Sequence, residues 1–366
     1  MRVLHINNEK TWRGGERQTL LTAQEHRRRG GCNAIACRPG SPLETAARAE
    51  GIPTIGLSAA APAALAKLIK LAGEFDLLHC HTGRAHSLAV LATLVRRKPL
   101  IVSRRVDFVP ENTRFNRFKY RRADKVVCVS RHIARELHAW GLPPERTVVI
   151  YEAAPDIPRR SREACLEQLR ARLGVPAGKR IIGNIAALVP HKAQATLLRA
   201  AQVVTAQRND VVFVIIGEGE LLGDLLRLRA ALGLEHAVFL AGFIPEAQRL
   251  LPAFDVFAMS SCMEGLGTIV LDAGLAAVPV AATAGGGLPE TVINDQTGLL
   301  VPVGDAPALA GAILRLLADP ALAARLAGAA QTRIRAEFSV SHMAQQYTEL
   351  YQAVCAGGVS GNPRLV

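Results

Sequence analysis

The 366-residue sequence predicts an α/β fold built from two consecutive, Rossmann-like, doubly wound domains, each with a parallel sheet, that face a cleft. Short apolar runs, such as 2–7 and 77–81, alternate with longer segments of helical periodicity, which is typical of parallel sheets covered on both faces. The chain is also too long for one ordinary core. Finally, two prolines and a charged run at 155–163 interrupt the alternation, which resumes at 180.

These observations predict the domain boundaries. We place the first domain at 1–155, a linker at 156–178 and the second domain at 179–338. A last helix at about 341–355 is expected to pack back on the first domain, because its apolar residues recur on one side. Those residues are Met343, Tyr347, Leu350, Tyr351 and Val354.

The charge of the chain is unevenly placed. Residues 1–155 carry 26 Lys and Arg against 13 Asp and Glu, whereas residues 156–366 carry 18 of each. The first domain is therefore expected to meet an anionic partner: nucleic acid, a membrane surface or an acidic acceptor. No apolar run reaches a membrane-spanning length, and the seven cysteines are scattered as expected for free thiols. We expect a cytoplasmic location, either free or peripheral on the inner face of the cell membrane.

One basic segment suggests what that partner is. Residues 111–125 interleave aromatic and basic side chains. If they are helical, Arg114, Arg117 and Arg121 share one stripe beside two phenylalanines, which would suit an anionic membrane surface. The alternative is a core-facing helix with solvated cations. Single-stranded RNA would also fit basic residues among aromatics, but no nucleic-acid motif accompanies the patch, so no nucleic acid is expected.

The stretch SSCMEGLGTIVLDAG, which begins at Ser260, combines two carboxylates with several glycines in otherwise apolar surroundings. Glu264 lies in a predicted loop, and Asp272 lies about one turn into the helix that follows. Gly265 and Gly267 allow backbone amides to approach a ligand, and the helix start at Thr268 offers free N–H groups. A sugar nucleotide presents both the anion and the hydroxyl groups that such a loop would bind. The alternative is that Glu264 only caps the helix and Asp272 faces solvent.

These motifs resemble a known family. E-G-L-G-x3-L-D-A, then P-V-A-A-T-x-G-G-G-L-P-E and T-G-L-L-V at 297–301, is similar to the retaining glycosyltransferases of family 4, which have the GT-B fold and an E-x7-E pattern. Here that pattern reads Glu264-x7-Asp272. WRGGERQTLLTAQEHRRRG resembles the family's Gly-Gly loop and first helix, and LLHCHTGRAH resembles its D-x-x-H-x-H region. The resemblance covers most of the chain and is most specific between 180 and 301.

The resemblance implies a role for each matching residue. Glu264 would hydrogen-bond the donor sugar, Lys192 would lie against the diphosphate, and His81 would lie near the reacting carbon. Asp272 would accept hydrogen bonds from the ribose. The other implied donor-binding residues are Gly14, Gly15, Gly265, Leu266, Gly267 and Thr268. No cofactor is implied. His79 and His81 could share an ion, but no zinc-spaced ligands follow them and no D-x-D is present, so no metal site is expected.

The implied reaction is retaining, metal-independent transfer of a sugar from a nucleotide-sugar donor. The acceptor would be a sugar hydroxyl of a membrane-associated glycolipid or surface polysaccharide precursor, for example lipopolysaccharide core. One departure bears on activity: Ala187 stands where the family often has arginine. A charge-assisted hydrogen bond contributes roughly 1.5–3 kcal/mol, and Arg13, Arg17 and His191 are the candidate replacements. The alternatives are a GT-B binding or scaffold protein without turnover and, less favoured, an RNA-binding protein.

Overall fold

The computed structural model describes residues 1–158 and 160–357. The chain divides into two compact units, the first formed by residues 1–153 with the C-terminal segment from 340, and the second by residues 154–339. Each unit contains one parallel sheet with helices around it, so the predicted α/β class with two parallel sheets is confirmed. No single helix in the described ranges is long and apolar enough to span a membrane, although the bent pair 306–318 and 320–356 meets those requirements jointly.

The first unit has a seven-stranded sheet in which every neighbouring pair is parallel. Its strands are β1 (Arg2–Asn7), β2 (Cys32–Cys37), β3 (Thr54–Gly56), β4 (Leu77–Cys80), β5 (Leu100–Arg104), β6 (Lys125–Cys128) and β7 (Thr147–Val149). Its first six helices are α1 (Gly14–Arg28), α2 (Pro42–Ala49), α3 (Ala61–Ala72), α4 (Gly83–Val95), α5 (Arg114–Arg122) and α6 (Arg131–Ala139). The strand order β3-β2-β1-β4-β5-β6-β7 reverses direction between β1 and β4. Loops that leave these two strands therefore diverge and leave a crevice at the carboxyl edge.

The second unit repeats this design with six parallel strands in the order β10-β9-β8-β11-β12-β13. They are β8 (Arg180–Ile185), β9 (Val211–Ile216), β10 (Val238–Leu240), β11 (Val256–Met259), β12 (Val280–Thr283) and β13 (Leu299–Val301). Its helices are α7 (Arg162–Leu173), α8 (Gln194–Gln207), α9 (Leu222–Ala231), α10 (Thr268–Leu275), α11 (Leu288–Thr291), α12 (Ala306–Ala318) and α13 (Pro320–Glu337). Here the reversal lies between β8 and β11, which makes the loops after these strands the expected ligand-binding loops.

One segment differs from the sequence-based expectation. Residues 156–178, predicted as a linker, contain α7 and belong to the second unit, because Cys165 and Leu169 are buried in its core beside Phe257. Farther along the chain, α12 and α13 are separate helices. The chain breaks between them because a proline follows Asp319, whose carboxylate accepts from the Leu322 amide and caps α13.

The last helix, α14 (Val340–Ala356), packs on the sheet of the first unit. Its buried face consists of Met343, Tyr347, Leu350 and Tyr351. This face contacts apolar side chains of β1, β4, β5 and β6, at Val3, Leu77, Ile101 and Val127. The two tyrosines carry hydroxyl groups into this core, where each must find a hydrogen-bond partner.

Candidate functional site

Two loops meet at the carboxyl edge of the second sheet, at the point where its strand order reverses. A short 3₁₀ turn that ends at Lys192 follows β8, and residues 260–267 follow β11. The Ser260 hydroxyl donates to the Lys192 carbonyl over 3.0 Å, and the Cys262 amide donates to the His191 carbonyl over 2.9 Å. These hydrogen bonds hold the two loops together.

The side chains of Lys192 and Glu264, both predicted site residues, contact each other directly. Lys192 Nζ lies 2.5 Å from Glu264 Oε1, and the Ser261 hydroxyl donates to the same oxygen over 2.8 Å. The side chains are 19% and 8% exposed. No described residue donates to Oε2, so this half of the carboxylate remains available to a hydroxyl donor. The pair therefore brings one cation and one hydrogen-bond acceptor to the same loop junction.

The N-terminus of α10 lies directly after this loop. Gly267, with φ of +81°, precedes the helix, and an added Cβ there would lie 2.6 Å from a Leu288 methyl carbon. The amides of Thr268 and Ile269 in the first turn have no carbonyl acceptor in the part of the chain that the structure describes. Unpaired amides and the helix dipole favour an anion at this position.

Three consecutive glycines, 285–287, pack against the Glu264 loop so closely that the space between the two segments would not hold a side chain. Gly286 has φ of +59°, and a Cβ on it would lie 2.3 Å from the Glu264 carbonyl oxygen. The Gly287 amide donates to that same carbonyl over 2.7 Å. The glycines of the sequence motif therefore position the backbone that carries Glu264.

Asp272 occupies a different environment from the Lys192–Glu264 pair. It is buried in the second turn of α10 and lines a groove whose other walls include Leu275 and the segments 155–158 and 248–252. Neither Lys192 nor Glu264 lines this groove. The ribose role of Asp272 stays a prediction.

The loop that carries Ala187 is held by backbone contacts. Its carbonyl accepts from the Gln194 side chain over 2.9 Å. A Cβ on Gly217 would lie 1.9 Å from the Ala186 carbonyl oxygen, and one on Gly219 would lie 2.3 Å from that of Leu188. The glycines of the segment 217–220, GEGE, thus form a turn that packs against this loop. No cation is supplied at position 187.

In the first unit, polar side chains gather at the carboxyl edge beside the Gly14–Gly15 turn. Asn7, at the end of β1, donates to Glu16 Oε1 over 3.2 Å, and Glu16 Oε2 accepts from the Arg13 amide over 3.0 Å. Burial raises the pKa of Glu16 even though these donors oppose the change. The contacts fix the start of α1 to the strand beside the crevice.

Three buried histidines lie together in this sheet. His5 on β1 is in register with His79 on β4, and His81 follows β4, so one nitrogen of each ring lies within 4.8 Å of the others. Such spacing could hold a metal ion, but five of the six ring nitrogens have hydrogen-bond partners. His79 bonds Tyr351 Oη over 2.7 Å and Ser103 Oγ over 2.8 Å. These bonds favour a hydrogen-bonding role for the rings.

His81, the third predicted catalytic residue, is held through both ring nitrogens. Its Nε2 lies 3.0 Å from His5 Nδ1, and its Nδ1 lies 3.0 Å from Arg105 Nη1. Arg105 Nε in turn donates to Glu152 Oε1 over 2.6 Å, and the two side chains of this ion pair are each 10% exposed. Burial lowers the pKa of His81 well below its usual value, and the neighbouring His79, Arg105 and His5 act in the same direction. The ring is therefore neutral at physiological pH.

Sequence reasoning missed Arg105 and Glu152. A signal was present in LIVSRR, where two arginines end a buried strand at the edge that binds ligands. The two diverge, because consecutive side chains in an extended chain point to opposite faces. Arg104 donates to Tyr120 Oη over 2.8 Å, while Arg105 reaches His81.

The basic segment forms helix α5, as the sequence suggested, but its three predicted arginines differ. Arg114 and Arg121 are exposed, and so are Phe115 and Phe118. Arg117 is half-buried: its Nε donates to Asn112 Oδ1 over 2.6 Å, and its guanidinium lies 5.4 Å from the Trp140 ring centroid. Arg117 therefore braces the helix, whereas the other two leave their charges in solvent.

Two family profiles match the chain, one in each unit. "Glycosyltransferase Family 4" matches residues 12–154, and "Glycosyl transferases group 1" matches residues 167–333. Together these ranges include every predicted site residue.

Individual proteins are also similar to this chain. A GDP-mannose-dependent alpha-(1-6)-phosphatidylinositol monomannoside mannosyltransferase of Mycolicibacterium smegmatis is 33% identical over 293 residues, which are 72% of this chain and 74% of that protein. The lipopolysaccharide core biosynthesis glycosyltransferase LpsE of Rhizobium meliloti is 30% identical over 232 residues, which are 63% and 65% of the two chains. The crystal structure of Anabaena Alr3699/HepE in complex with UDP-glucose matches with a TM-score of 0.87 and 25% identity, over 96% of this chain and 100% of that one.

Proposed function

Because this chain belongs to the family 4 glycosyltransferases and has their GT-B fold, we propose that it is a retaining enzyme that moves a sugar from a nucleotide-sugar donor to a sugar hydroxyl. The acceptor is a membrane-associated glycolipid or surface polysaccharide precursor, such as lipopolysaccharide core. Two of the relatives above bear names that refer to a phosphatidylinositol mannoside and to lipopolysaccharide core, which supports this acceptor class.

The observation that carries the proposal is the junction of Lys192, Glu264 and the N-terminus of α10. Lys192 and the amides of Thr268 and Ile269 supply positive charge for a diphosphate, and Glu264 Oε2 can accept from sugar hydroxyls. Lys192 is bonded to Glu264 Oε1, so donor binding exchanges that carboxylate for a phosphate. Ser261 remains on Glu264 Oε1 and keeps the carboxylate hydrogen-bonded during the exchange.

Catalysis in this proposal is electrostatic. As the bond between the anomeric carbon and the phosphate breaks, Lys192 and the helix amides stabilise the charge that develops on the diphosphate. The acceptor hydroxyl oxygen bonds to the anomeric carbon on the face from which the diphosphate departs, and its proton passes to an oxygen of the departing phosphate. Attack on this face retains the configuration. These protein groups neutralise the charge that a divalent ion would otherwise neutralise, so we propose that the reaction needs no metal.

The acceptor's membrane is the partner proposed for the first unit. Phe115 and Phe118, exposed by 43% and 42%, lie on α5 with the solvated Arg114 and Arg121. Apolar side chains flanked by cations suit an anionic bilayer surface. The bracing contacts of Arg117 give it a structural role in this proposal.

A two-stage experiment tests the function. The purified protein is first screened by thermal shift against a panel that includes UDP-glucose and GDP-mannose, because a ligand that binds only the folded state raises the melting temperature. The stabilising donor is then offered with lipid-linked acceptors, with and without EDTA, and the anomeric configuration of the product is read by NMR. Donor binding without transfer to any acceptor would favour the scaffold alternative that Ala187 motivates. Inversion, or loss of activity in EDTA that magnesium restores, would refute the mechanism.

A further inference from the structure

The hydrogen bonds around His81 form a chain with a fixed direction. A guanidinium has N–H donors and no acceptor, so Arg105 Nη1 must donate to His81 Nδ1. His81 is neutral, and its single proton is therefore on Nε2, from which it donates to His5 Nδ1. His5 in turn carries its own proton on Nε2. One arginine thus determines the tautomer of two histidines.

The last group in this series of hydrogen bonds, His5 Nε2, shows that Arg105 sets the direction. His5 Nε2 is buried and has no hydrogen-bond partner among the described residues. The opposite direction would place an N–H on His81 Nδ1, against the Arg105 donor, and would leave His5 Nε2 as a bare acceptor. A buried N–H without a partner is unfavourable, so the contact between Arg105 and His81 outweighs the loss at His5.

Arg105 is itself held rigidly enough to impose this order. Its Nε donates to Glu152 over 2.6 Å. A Cβ added to Gly15 would lie 3.6 Å from Arg105 Cδ, so the start of α1 covers the aliphatic part of the arginine side chain. Arg105 Nη1 also lies 3.5 Å from the His81 carbonyl oxygen. The guanidinium is thereby clamped between the loop after β7 and the loop after β4.

We propose that Arg105, clamped by Glu152, is a positioning residue for sugar transfer that fixes His81 as the neutral Nε2–H tautomer, so that His81 meets a substrate sugar as a hydrogen-bond donor. The inference rests on the proposed function, together with the position near the reacting carbon that the family resemblance implies for His81. A sugar oxygen accepts from this N–H together with His5 Nδ1, so that the fully buried His5 keeps its hydrogen bond. No proton has to move when the substrate enters.

The tautomer can be read directly in the substrate-free protein. Full-length protein labelled with ¹⁵N-histidine is studied by two-bond nitrogen–proton correlation NMR, with His81→Gln used to assign the ring. The wild type should show a protonated Nε2 and an unprotonated Nδ1. Arg105→Met should shift the proton toward Nδ1 or give a mixture of tautomers, and Arg105→Lys, which restores one donor, should return the wild-type pattern at least in part.

Arg104→Met is the matched control, because Arg104 is the neighbouring arginine, is also largely buried, and bonds Tyr120 instead of His81. It should leave the His81 pattern unchanged. Kinetically, Arg105→Met should lower kcat at least tenfold with less than a threefold change in donor KM, and Arg105→Lys should recover part of the loss.

Several results would overturn the inference. A wild-type His81 protonated on Nδ1 would refute it alone, even if Arg105→Met failed to fold. An unchanged tautomer in a folded Arg105→Met protein, or an unchanged kcat, would do the same. A wild type that transfers no sugar would refute the proposed function, while the tautomer, read without substrate, would still test how Arg105 acts on His81.

Discussion

Replacing Lys192 by methionine and Glu264 by glutamine, singly and together, separates an ion pair that only stabilises the loops from one that binds substrate. Lys192→Met removes the ammonium group but keeps most of the aliphatic chain, and Glu264→Gln keeps the shape of the side chain and an oxygen that can accept from Ser261 and Lys192. If the pair is structural, stability and activity should change in parallel. If it is the donor site, they should diverge in the double variant.

The stability effects follow from burial. Lys192→Met leaves the Glu264 carboxylate, which is 8% exposed, with the Ser261 hydroxyl as its side-chain donor. A hydrogen bond to a charged group contributes roughly 1.5–3 kcal/mol, so the free energy of unfolding should fall by about 2 kcal/mol. Glu264→Gln should cost less, about 1 kcal/mol, because the ammonium keeps an acceptor and is 19% exposed. The double variant leaves no charge unpaired. Its loss should fall about 1 kcal/mol short of the sum.

Activity should behave differently. Each single variant removes one contact with the donor and should lower kcat/KM at least tenfold, which is about 1.4 kcal/mol of barrier. The double variant should lose at least a hundredfold, although its melting temperature is higher than the two single losses predict. For a unit of this size, 1 kcal/mol corresponds to roughly 2–4 °C.

Differential scanning fluorimetry and a radiolabelled-donor transfer assay on the four proteins complete the cycle. Arg208→Met with Asp210→Asn is the control, since this pair, 2.7 Å apart, is more exposed and lies at the start of β9, away from the proposed site. It should change neither quantity appreciably. Recovery of activity in the Lys192/Glu264 double variant, in step with its stability, would mean that the pair is a structural brace.

Three further outcomes follow from the structure. Replacing Arg114 and Arg121 by glutamine should weaken binding to acidic liposomes about thirtyfold, since each contributes about 1 kcal/mol near an anionic surface, and unchanged co-sedimentation would rule out this contact. Burial lowers the pKa of His5 from 6.5 to about 3, so the unfolded state binds the proton first and stability falls as the pH drops from 6.5 toward 3. Between pH 7 and pH 5, the free energy of unfolding of His5→Phe should therefore decrease by about 2 kcal/mol less than that of the wild type. Urea titrations at the two pH values measure both decreases, and equal decreases would contradict the lowered pKa of His5. Gly286→Ala should displace the Glu264 loop and weaken donor binding measured by calorimetry, whereas Gly304→Ala, at φ of +79° but with nothing within 4 Å, should cost only backbone strain; equal donor affinities would refute the packing argument.

Much of the architecture could be predicted because it follows from local patterns. The β strands of both sheets are short apolar runs, and the helices between them have an apolar stripe, so the α/β class with two parallel sheets emerges from periodicity. The segment between the two sheets is an exception. The segment 156–178 looks like a linker because it contains prolines and many charges, and only the burial of Cys165 and Leu169 in the core of the second unit shows that α7 belongs there.

The candidate site divides in the same way. Glu264 and the glycines around it stand out in the sequence, because a carboxylate and several glycines in an apolar stretch need a reason. That the Glu264 side chain bonds Lys192, 72 positions away, depends on β8 and β11 being neighbours across the reversal of strand order. Asp272 is only eight positions from Glu264, yet it lines a groove that Glu264 does not reach.

The sequence by itself determined which residue types are available at the carboxyl edges of the two sheets, since motif and strand end coincide along the chain. Only the tertiary structure decided how they combine. Arg105 and Glu152 are 47 positions apart and carry no motif, but β5, β6 and β7 are adjacent, so the loops after them bring the two charges to 2.6 Å. The state of His81 follows from that contact, because a proton on an imidazole is placed by the donor it faces and not by its neighbours in sequence.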